Sequence, residues 1–254
     1  MMPDDLRERR VLVTGGSRGI GQATALAFAR AGAAVAFNYA RGEDEDEATA
    51  TLELLRATGV PAYAARVDVA DGAAVTALFQ DVRTRFGGPV DVLVNNAAIA
   101  MDGLLMLLPE PAWHRVLEVN LTGAYLCNKA ALRGMISGRF GRIISIVSPA
   151  AFFGKEGSAS YAAAKAGVVA MSKSLAREVA RYGITVNSVS PGYIDTQLIA
   201  DLPAATRASF QAEIPLARFG RPEDVAGVVT FLASGAAAYM TGTTVHVDGG
   251  LTML

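Results

Sequence analysis

Short, uninterrupted apolar segments alternate along the chain with longer segments in which apolar residues recur every three or four positions. The first kind is typical of strands buried on both faces, and the second is typical of amphipathic helices. Strands are predicted at 11–14, 34–39, 61–67, 90–94, 142–147, 184–189 and 243–247. Helices are predicted at 22–31, 73–86, 111–137, around residue 161 and at 222–233. This alternation predicts an α/β fold of the Rossmann type, with a doubly wound parallel sheet of seven strands flanked by helices.

The amino-acid composition restricts the number of domains, the partners and the cellular location expected for this fold. The chain has 254 residues, 52% of them apolar and 19% charged, which suits one α/β domain spanning 1–254. Because the net charge is −1 and no basic stripe is present, neither nucleic acid nor a membrane surface is an expected partner. Residues 1–10 lack the apolar core of a signal peptide, and no apolar run approaches the roughly 18 residues of a membrane span. These features predict a soluble, cytoplasmic protein.

Cysteine and histidine are too few to indicate a metal site. Cys127 is the only cysteine, which excludes an internal disulfide and a thiolate cluster and fits a small buried residue. His114 and His246 stand apart from any carboxylate pattern and are interpreted as surface or strand residues. No metal is predicted.

Candidate chemistry centres on the segment between Ser148 and Lys165. The alanine-rich sequence around Tyr161 and Lys165 predicts a helix, and residues four apart on a helix lie one above the other on the same face. Ser148 stands at the end of the strand predicted at 142–147. A hydroxyl, a phenol and an ammonium placed in this way can meet one small carbonyl group. The alternative is an alanine-rich helix that carries an incidental tyrosine and lysine.

A glycine-rich loop follows the first predicted strand and precedes the first predicted helix. Without side chains at Gly15, Gly19 and Gly21, this loop can turn tightly and bring a pyrophosphate to backbone N–H groups at the positive end of the helix. The spacing differs from Gly-x-Gly-x-x-Gly, and no Gly-Lys-Ser or Gly-Lys-Thr follows as in a P-loop. An ordinary glycine-rich turn is the alternative, but the flanking strand and helix favour dinucleotide binding.

The end of the second predicted strand indicates which dinucleotide is bound. A carboxylate there accepts from the ribose 2′-hydroxyl of NAD, whereas NADP needs a cation for its 2′-phosphate. Arg18 in the glycine loop and Arg41 beyond the strand can supply two guanidiniums, which favours NADPH/NADP+. The acidic run at 43–47 argues against it, because an inward carboxylate would repel the phosphate. We interpret that run as solvated surface that also places negative charge at the N-terminus of the next helix.

Polar residues also follow the third and fourth strands and interrupt the long helix. Asp68 and Asn96 stand beyond strand ends, where loops line the ligand crevice of a parallel sheet, so Asp68 is assigned to the adenine edge and Asn96 to the cofactor side. Each alone is more often a turn former. Asn120 lies within the helix predicted at 111–137, although asparagine is unfavourable in a helix interior. Because its sequence neighbours are apolar, the amide of Asn120 is expected to point inward and to have a functional role. The alternative is that Asn120 faces solvent.

Several of these residues resemble one family in order and spacing. Thr14-Gly-Gly-Ser-Arg-Gly-Ile-Gly21, Asn95-Asn-Ala-Ala98, Asn120, Ser148, Tyr161-x3-Lys165 and Pro191-Gly192 are similar to the motifs of the short-chain dehydrogenase/reductases, over nearly the whole chain. Within that family the segments 101–106, 174–179 and 241–250 are most similar to the 3-oxoacyl-[acyl-carrier-protein] reductases. The resemblance implies catalytic roles for Asn120, Ser148, Tyr161 and Lys165. It implies cofactor contacts at Gly15, Ser17, Arg18, Gly19, Ile20, Gly21, Arg41, Asp68, Val69, Asn96, Ala97, Tyr161, Lys165, Pro191, Gly192, Ile194 and Thr196.

The family roles fit the chemistry of carbonyl reduction. Tyr161 is expected to donate a proton as charge develops on oxygen, with Ser148 holding the carbonyl, Lys165 the nicotinamide ribose, and Asn120 a water that links the lysine to solvent. A free phenol has a pKa near 10. An ammonium about 5.5 Å away, at an effective dielectric near 20, contributes roughly 3 kcal/mol, or about two pKa units. The phenol of Tyr161 is therefore expected near 8.

The sequence departs from the family pattern at three places near this site. Ala98 replaces a usual glycine, Pro149 follows the serine directly and holds Ser148 extended, and Phe152 and Phe153 are bulky. If the two rings line the pocket, they favour an aromatic or conjugated substrate; if they pack inward, they carry no such information.

Three functions remain open at this point. The first is reduction of a 3-oxoacyl thioester, linked to acyl carrier protein or to coenzyme A, in fatty acid or polyketide assembly. The second is the same chemistry on a free ketone or alcohol, such as an aromatic polyketide, a sugar or a steroid. The third is an NADP-binding scaffold or sensor with little turnover.

Surface features bear on partners and on substrate access. An acyl carrier protein would require a basic rim, and the arginines beside the two long helices can form one or can be solvated surface: Arg133, Arg139, Arg142, Arg177 and Arg181. Small residues on the Tyr161 helix, together with the resemblance, predict a homotetramer assembled through the two long helices. The irregular, apolar stretch 197–216 is a candidate substrate lid, with a permanently packed loop helix as the alternative.

Overall fold

Seven strands form one parallel sheet in the order β3-β2-β1-β4-β5-β6-β7. This computed structural model describes residues 6–253, without the side chain of Leu198, so part of the prediction for residues 1–10 falls outside the described residues. The strands are β1 (Arg10–Val13), β2 (Ala34–Tyr39), β3 (Ala62–Arg66), β4 (Val92–Asn95), β5 (Gly141–Ile146), β6 (Ile184–Pro191) and β7 (Thr244–Val247). The expected number of strands and their parallel direction are confirmed.

Helices cover both faces of this sheet. They are α1 (Gly19–Arg30), α2 (Glu45–Arg56), α3 (Gly72–Arg85), α4 (Glu110–Leu117), α5 (Gly123–Gly138), α6 (Ala150–Phe153), α7 (Ala159–Val179), α8 (Gln197–Ala200), α9 (Ala204–Ala212) and α10 (Pro222–Ala233). One core packs Phe28 of α1 and Val225 of α10 against β1 and β2, and the other packs Leu78 of α3 and Met135 of α5 on the opposite face. The predicted doubly wound fold is thereby confirmed. None of the helices within residues 6–253 combines the length and apolar character needed to cross a bilayer.

The sheet reverses its winding direction between β1 and β4. These two strands are hydrogen-bonded neighbours, with Val13 opposite Val94, although an α-β-α-β-α segment separates them in sequence. Ligands of open α/β sheets bind outside the carboxyl ends of the strands at such a point. The glycine loop after β1 and the loop after β4 therefore flank one crevice, and the end of β5 lies beside it.

Some element boundaries differ from the sequence predictions. The helix expected over 111–137 is interrupted by a π-helical turn at Glu118–Thr122. The strand expected to end at 189 continues to Pro191, which brings it alongside β7. The stretch 197–216, expected to be irregular, contains α8 and α9, with Pro203 at the N-cap of α9. Proline suits a helix start and not a helix interior, so its presence there does not preclude helix formation.

Candidate active site

Ser148, Tyr161 and Lys165 come together at the carboxyl end of β5. Helix α7 begins at Ala159, which places Tyr161 in its first turn and Lys165 one turn further along the same face. The hydroxyl of Ser148 accepts from the N–H of Ala150 at 3.3 Å and forms a hydrogen bond with the Tyr161 phenol. Lys165 is buried, donates from Nζ to the carbonyl of Ile146 at 2.8 Å, and lies 5.6 Å from the ring centroid of Tyr161.

The phenol of Tyr161 does not have the lowered pKa expected from its neighbouring lysine. Burial raises its pKa above 10, the hydrogen bond from Ser148 lowers it in part, and the negative charge of Asp102 raises it again. The expectation of a pKa near 8 is therefore wrong, because it counted the attraction of the ammonium and left out desolvation. A phenol that keeps its proton at neutral pH is suited to act as an acid.

Burial lowers the pKa of Lys165, whereas it raises the pKa of Tyr161. Low-dielectric surroundings disfavour its charged form and lower the pKa of the ammonium from 10.5 to about 8. Its amine therefore remains mostly charged at neutral pH and loses its proton in mildly alkaline solution.

This lowered pKa predicts a specific dependence of stability on pH. The unfolded chain recovers the ordinary lysine value, so between pH 8 and 10.5 it binds more protons than the folded chain. The free energy of unfolding should rise over this window by about 3 kcal/mol, and below pH 8 the full penalty of the buried charge remains. Urea unfolding at pH 7, 8.5 and 10 should show the wild type gaining this amount relative to Lys165→Met. Lys173→Met, at an exposed position of the same helix, is the control; a constant difference between wild type and Lys165→Met would contradict the prediction.

Asn120 lies in the π-helical turn and is buried. Its amide donates to the carbonyl of Ile99 at 2.7 Å and accepts from the N–H of Ile99 at 2.9 Å, which ties the helix to the loop after β4. Asn120 and Lys165 also line one cavity of about 10 Å³, close to the smallest volume that holds a water. The inward amide expected from the sequence thus has a backbone partner, and its role in linking the lysine to a water stays a prediction.

The glycine loop forms a cradle that fits a dinucleotide. Gly15 and Gly19 have φ angles of +64° and +56°, where glycine is favoured, and a Cβ on Gly21 would lie 2.2 Å from the carbonyl oxygen of Gly15. Helix α1 has no side-chain cap and no acidic residue in its first turn, whereas Asp71 caps α3 by accepting from two N–H groups. The first-turn N–H groups of α1 are therefore available for an anion such as a pyrophosphate.

Two asparagines hold this loop in place. Asn96 donates from Nδ2 to the carbonyls of Thr14 at 3.0 Å and Gly15 at 2.8 Å, so its amide supports the backbone of the cradle. Asn38 is buried, accepts from the N–H of Gly15 at 3.3 Å and donates to the carbonyl of Val67 at 2.7 Å. Sequence reasoning gave Asn38 no role. The available signal was an amide inside the otherwise apolar strand 34–39, since buried polar groups need partners.

The other predicted cofactor contacts lie around the same crevice. Ser17 is buried, and its carbonyl accepts from Thr51 at 2.8 Å, while the methyl group of Thr196 lies 3.4 Å from the position that a Cβ on Gly19 would take. Ile194 is buried and bridges to Gly220. The remaining predicted contacts stand in the first turn of α1, beyond the ends of β3 and β4, or at and just beyond the end of β6: Ile20, Val69, Ala97, Pro191 and Gly192. These cofactor contacts stay predictions.

Both arginines predicted to bind a 2′-phosphate are engaged by carboxylates. Arg18 lies 3.3 Å from Glu47 and 3.7 Å from Asp44, and Arg41 lies 2.6 Å from Glu43 and 3.9 Å from Asp44. The interpretation of the acidic run as solvated surface is therefore incomplete. Its last three carboxylates do occupy the first turn of α2, as expected. Glu43, Asp44 and Glu47 also pair with the two arginines.

Asp68, assigned to the adenine edge, is held by an arginine that sequence reasoning missed. Its carboxylate lies 2.5 Å from Arg115 of α4 and accepts from the N–H of Ala70 at 3.0 Å. Burial alone would raise the pKa of Asp68, but these two partners outweigh it and lower the pKa below its ordinary value. Arg115 follows no motif, and only the fold brings it to the end of β3.

The two phenylalanines after Ser148 have different surroundings. Phe153 is exposed, whereas Phe152 packs against the cluster of Val147 and Val168 and lies 5.0 Å from the ring of His246. Phe153 is thus the more exposed of the two rings, and Phe152 is half-buried. Among residues 6–253 no group of three or more histidine, cysteine or carboxylate side chains is arranged to hold a metal ion.

The segment proposed as a lid packs on the core through several contacts. Phe210 of α9 stacks on Tyr193 with ring centroids 4.4 Å apart, Arg207 lies 3.5 Å from Asp195, and the N–H of Leu216 donates to Gly249 at 3.1 Å. These contacts hold the segment 197–216 against neighbouring loops of the protein. Opening of the segment to admit substrate stays a prediction.

One of the five arginines expected to form a basic rim for a carrier protein, Arg142, is buried. Arg142 is 6% exposed and donates to the carbonyls of Gly141 and Gly183, because its side chain folds back over the start of β5. It cannot present its charge to a partner, so that assignment is wrong. Arg133, Arg139, Arg177 and Arg181 are exposed.

Comparison with known proteins agrees with this geometry. The family model described as enoyl-(acyl carrier protein) reductase matches residues 15–252. The chain is 44% identical over 248 residues to the 3-oxoacyl-[acyl-carrier-protein] reductase FabG of Pseudomonas aeruginosa, covering 98% of this chain and 99% of that protein. It is 46% identical over 243 residues to the 3-oxoacyl-[acyl-carrier-protein] reductase of Synechocystis sp., covering 95% and 96%. A solved structure described as a short-chain alcohol dehydrogenase from Sinorhizobium meliloti matches 98% of both chains with a TM-score of 0.90 at 36% identity.

Proposed function

The chain belongs to the short-chain dehydrogenase/reductase family, and from that premise we propose that it is an NADPH-dependent reductase of 3-oxoacyl thioesters. Its product is the 3-hydroxyacyl thioester, as needed in fatty acid or polyketide assembly. The observation that carries this proposal is the convergence of Ser148, Tyr161 and Lys165 beside a glycine cradle that fits a dinucleotide. Full-length relatives that carry the name 3-oxoacyl-[acyl-carrier-protein] reductase support the substrate class.

Tyr161 is the proposed proton donor in this reaction. NADPH, when bound, supplies the hydride. As the carbonyl carbon is reduced, negative charge develops on its oxygen, and the phenol of Tyr161 transfers its proton there. Ser148, already hydrogen-bonded to that phenol, orients the carbonyl oxygen toward it. Proton delivery of this kind is typically worth about a hundred- to ten-thousand-fold in rate.

Lys165 and Asn120 support the donor in this proposal. The Lys165 ammonium stabilises the phenolate that forms once the proton has left, since an opposite charge nearby favours an ionised group. Its second task is to hold the nicotinamide ribose. Asn120 fixes the loop after β4 through Ile99 and borders the small cavity shared with Lys165, from which a water can return the proton.

A second candidate substrate class is suggested by Phe153. Its exposed ring, five residues after Ser148, can stack on an aromatic ketone. The same three side chains would then reduce a free aromatic ketone instead of a thioester.

Partners, assembly and compartment complete the proposal. Four exposed arginines, Arg133, Arg139, Arg177 and Arg181, can attract an acidic acyl carrier protein. Exposed small residues on α7, Ala163 and Ala170, allow close packing with a second copy, which supports a homotetramer. We propose one catalytic domain over 1–254, located in the cytoplasm, with 197–216 as its substrate lid.

Initial rates with a panel of substrates test this function. Acetoacetyl thioesters of acyl carrier protein and of coenzyme A are compared with an aromatic ketone and with an enoyl thioester, each with NADPH and with NADH. The proposal expects the highest kcat/KM for an acetoacetyl thioester with NADPH. Preference for the aromatic ketone would favour the second candidate, and absence of NADPH oxidation with every substrate would favour a non-catalytic NADP-binding role.

A further inference from the structure

A compact group of six charged side chains, the β2-end cluster, surrounds the start of α2. It consists of three arginines and three carboxylates: Arg18, Arg41, Arg66, Glu43, Asp44 and Glu47. Asp44 lies within 4 Å of both Arg18 and Arg41, at 3.7 and 3.9 Å, so it joins the two guanidiniums. Arg66 lies alongside Gly42, where a Cβ would be 3.5 Å from its Nη1.

The formal charges of the β2-end cluster cancel. Three guanidiniums and three carboxylates sum to zero, so a phosphate that arrives here meets no net positive charge unless a carboxylate moves. Two free arginines would attract the same phosphate strongly, because charge-assisted and bidentate hydrogen bonds to phosphate are among the strongest in proteins. The carboxylates therefore oppose the very contact for which the arginines are suited.

The three carboxylates differ in how freely they can move. The Asp44 side chain is 12% exposed and accepts from the N–H of Arg41 at 3.4 Å, so it is fixed to the backbone. The side chains of Glu43 and Glu47 are 68% and 44% exposed. Each binds one arginine from the solvent side: Glu43 binds Arg41, and Glu47 binds Arg18.

We propose that Glu43 and Glu47 are internal competitors for the adenosine 2′-phosphate, and that they set how strongly this protein prefers NADPH over NADH. Each carboxylate accepts from the guanidinium of one arginine that would bind the phosphate. The phosphate displaces both, whereas NADH, which has no phosphate at this position, leaves them in place. This inference rests on the proposed use of NADPH and adds what limits its affinity.

Binding measurements on neutral variants test this inference. Dissociation constants for NADPH and NADH are measured by isothermal titration calorimetry on full-length Glu47→Gln, Glu43→Gln and the double variant. Exposed ion pairs are weak, so each single substitution should tighten NADPH binding about two- to fivefold and the double variant by roughly tenfold. The affinity for NADH should stay unchanged, and the gains should shrink at high salt because the charges are exposed.

Glu45→Gln is the matched control. Glu45 lies on the same turn of α2 and changes the net charge equally, but among residues 6–253 it forms no ion pair with Arg18 or Arg41. Equal tightening by Glu45→Gln would mean that general charge, and not the arginine contacts, is responsible, which overturns the inference. Tightening of NADH, or no tightening of NADPH, overturns it as well.

The same data separate this inference from the proposed function. If wild type prefers NADPH and the Glu43 and Glu47 variants do not change that preference, only the inference fails. If wild type shows no preference but the double variant does, the inference holds and the carboxylates mask the arginines. If neither prefers NADPH and Arg41→Ala alters nothing, both the inference and the NADPH assignment fail.

Discussion

Tyr161→Phe is expected to lower kcat for the reduction by about a hundred- to ten-thousand-fold. The variant removes one oxygen and with it the proton that the reduced carbonyl oxygen requires. The ring remains, and the α7 backbone that positions Lys165 is unchanged, so the dissociation constant for NADPH should stay within about twofold of wild type. Stopped-flow or steady-state rates, paired with calorimetric binding of NADPH, measure both quantities.

Tyr63→Phe is the control for this substitution. The phenol of Tyr63 likewise forms a hydrogen bond with another side chain, because its hydroxyl donates to Asp81 at 3.1 Å, but Tyr63 lies on β3 at the surface. Its loss should leave the rate unchanged. Turnover of Tyr161→Phe close to that of wild type would reject Tyr161 as the proton donor, and a parallel loss of NADPH binding would mean that the hydroxyl positions the cofactor instead.

Gly21→Ala is expected to be the most damaging substitution in the glycine loop. The added Cβ would stand 2.2 Å from the carbonyl oxygen of Gly15 and 2.6 Å from Nδ2 of Asn96, so the cradle or the helix must shift. Overpacking of this kind typically destabilises by about 1–3 kcal/mol. Because a misplacement near 1 Å can cost about a hundredfold in rate, kcat/KM for the reduction should fall by that order, and the shifted cradle should also bind NADPH more weakly.

Gly227→Ala provides a comparison within another helix. Gly227 lies inside α10, and its added Cβ would meet no atom within 4 Å. Alanine is favoured over glycine in a helix interior by up to about 1 kcal/mol, so this variant should be slightly stabilised and bind NADPH as wild type does. Denaturant unfolding and calorimetry compare the two variants, and equal effects would contradict the steric explanation.

The fold and the convergence of the three active-site side chains follow from signals that are local in sequence. Continuous apolar runs such as 142–147 predict strands buried on both faces, because no solvent-facing alternation interrupts them. The spacing of Tyr161 and Lys165 predicts that they share one helix face. The position of Ser148 beyond a strand end predicts its place in the crevice. Each of these inferences needs only the geometry of one element or the rule for a parallel sheet.

The partners of the polar residues could not be predicted in this way. Arg115 reaches Asp68 across 47 positions of sequence, and Asn38 binds the carbonyl of Val67 across 29. Neither pairing leaves a periodic signal, because each depends on which loops the sheet order brings together. The π-helical turn at Asn120 belongs to the same class, since its amide is directed by the backbone of Ile99 in another loop.

The pKa of Tyr161 cannot be predicted from its distance to Lys165 alone. The shared helix face expected for Tyr161 and Lys165 is seen in the structure, where Nζ of Lys165 lies 5.6 Å from the ring centroid of Tyr161. The direction of the shift is nevertheless opposite, because both groups are buried and each loses hydration. Sequence gives the spacing of two residues on one helix, but the depth of their burial depends on elements that pack over them.

In the proposed reaction the Tyr161 phenol gives its proton to the substrate carbonyl oxygen. A crystal structure of the protein with NADP+ and a 3-oxoacyl or 3-hydroxyacyl ligand measures how close the two groups lie. If Tyr161 is the donor, the ligand oxygen lies within about 3.2 Å of both the Tyr161 and the Ser148 hydroxyl oxygens. An ordered ligand whose oxygen lies beyond hydrogen-bonding distance of Tyr161, with no bridging water, would rule out Tyr161 as the donor.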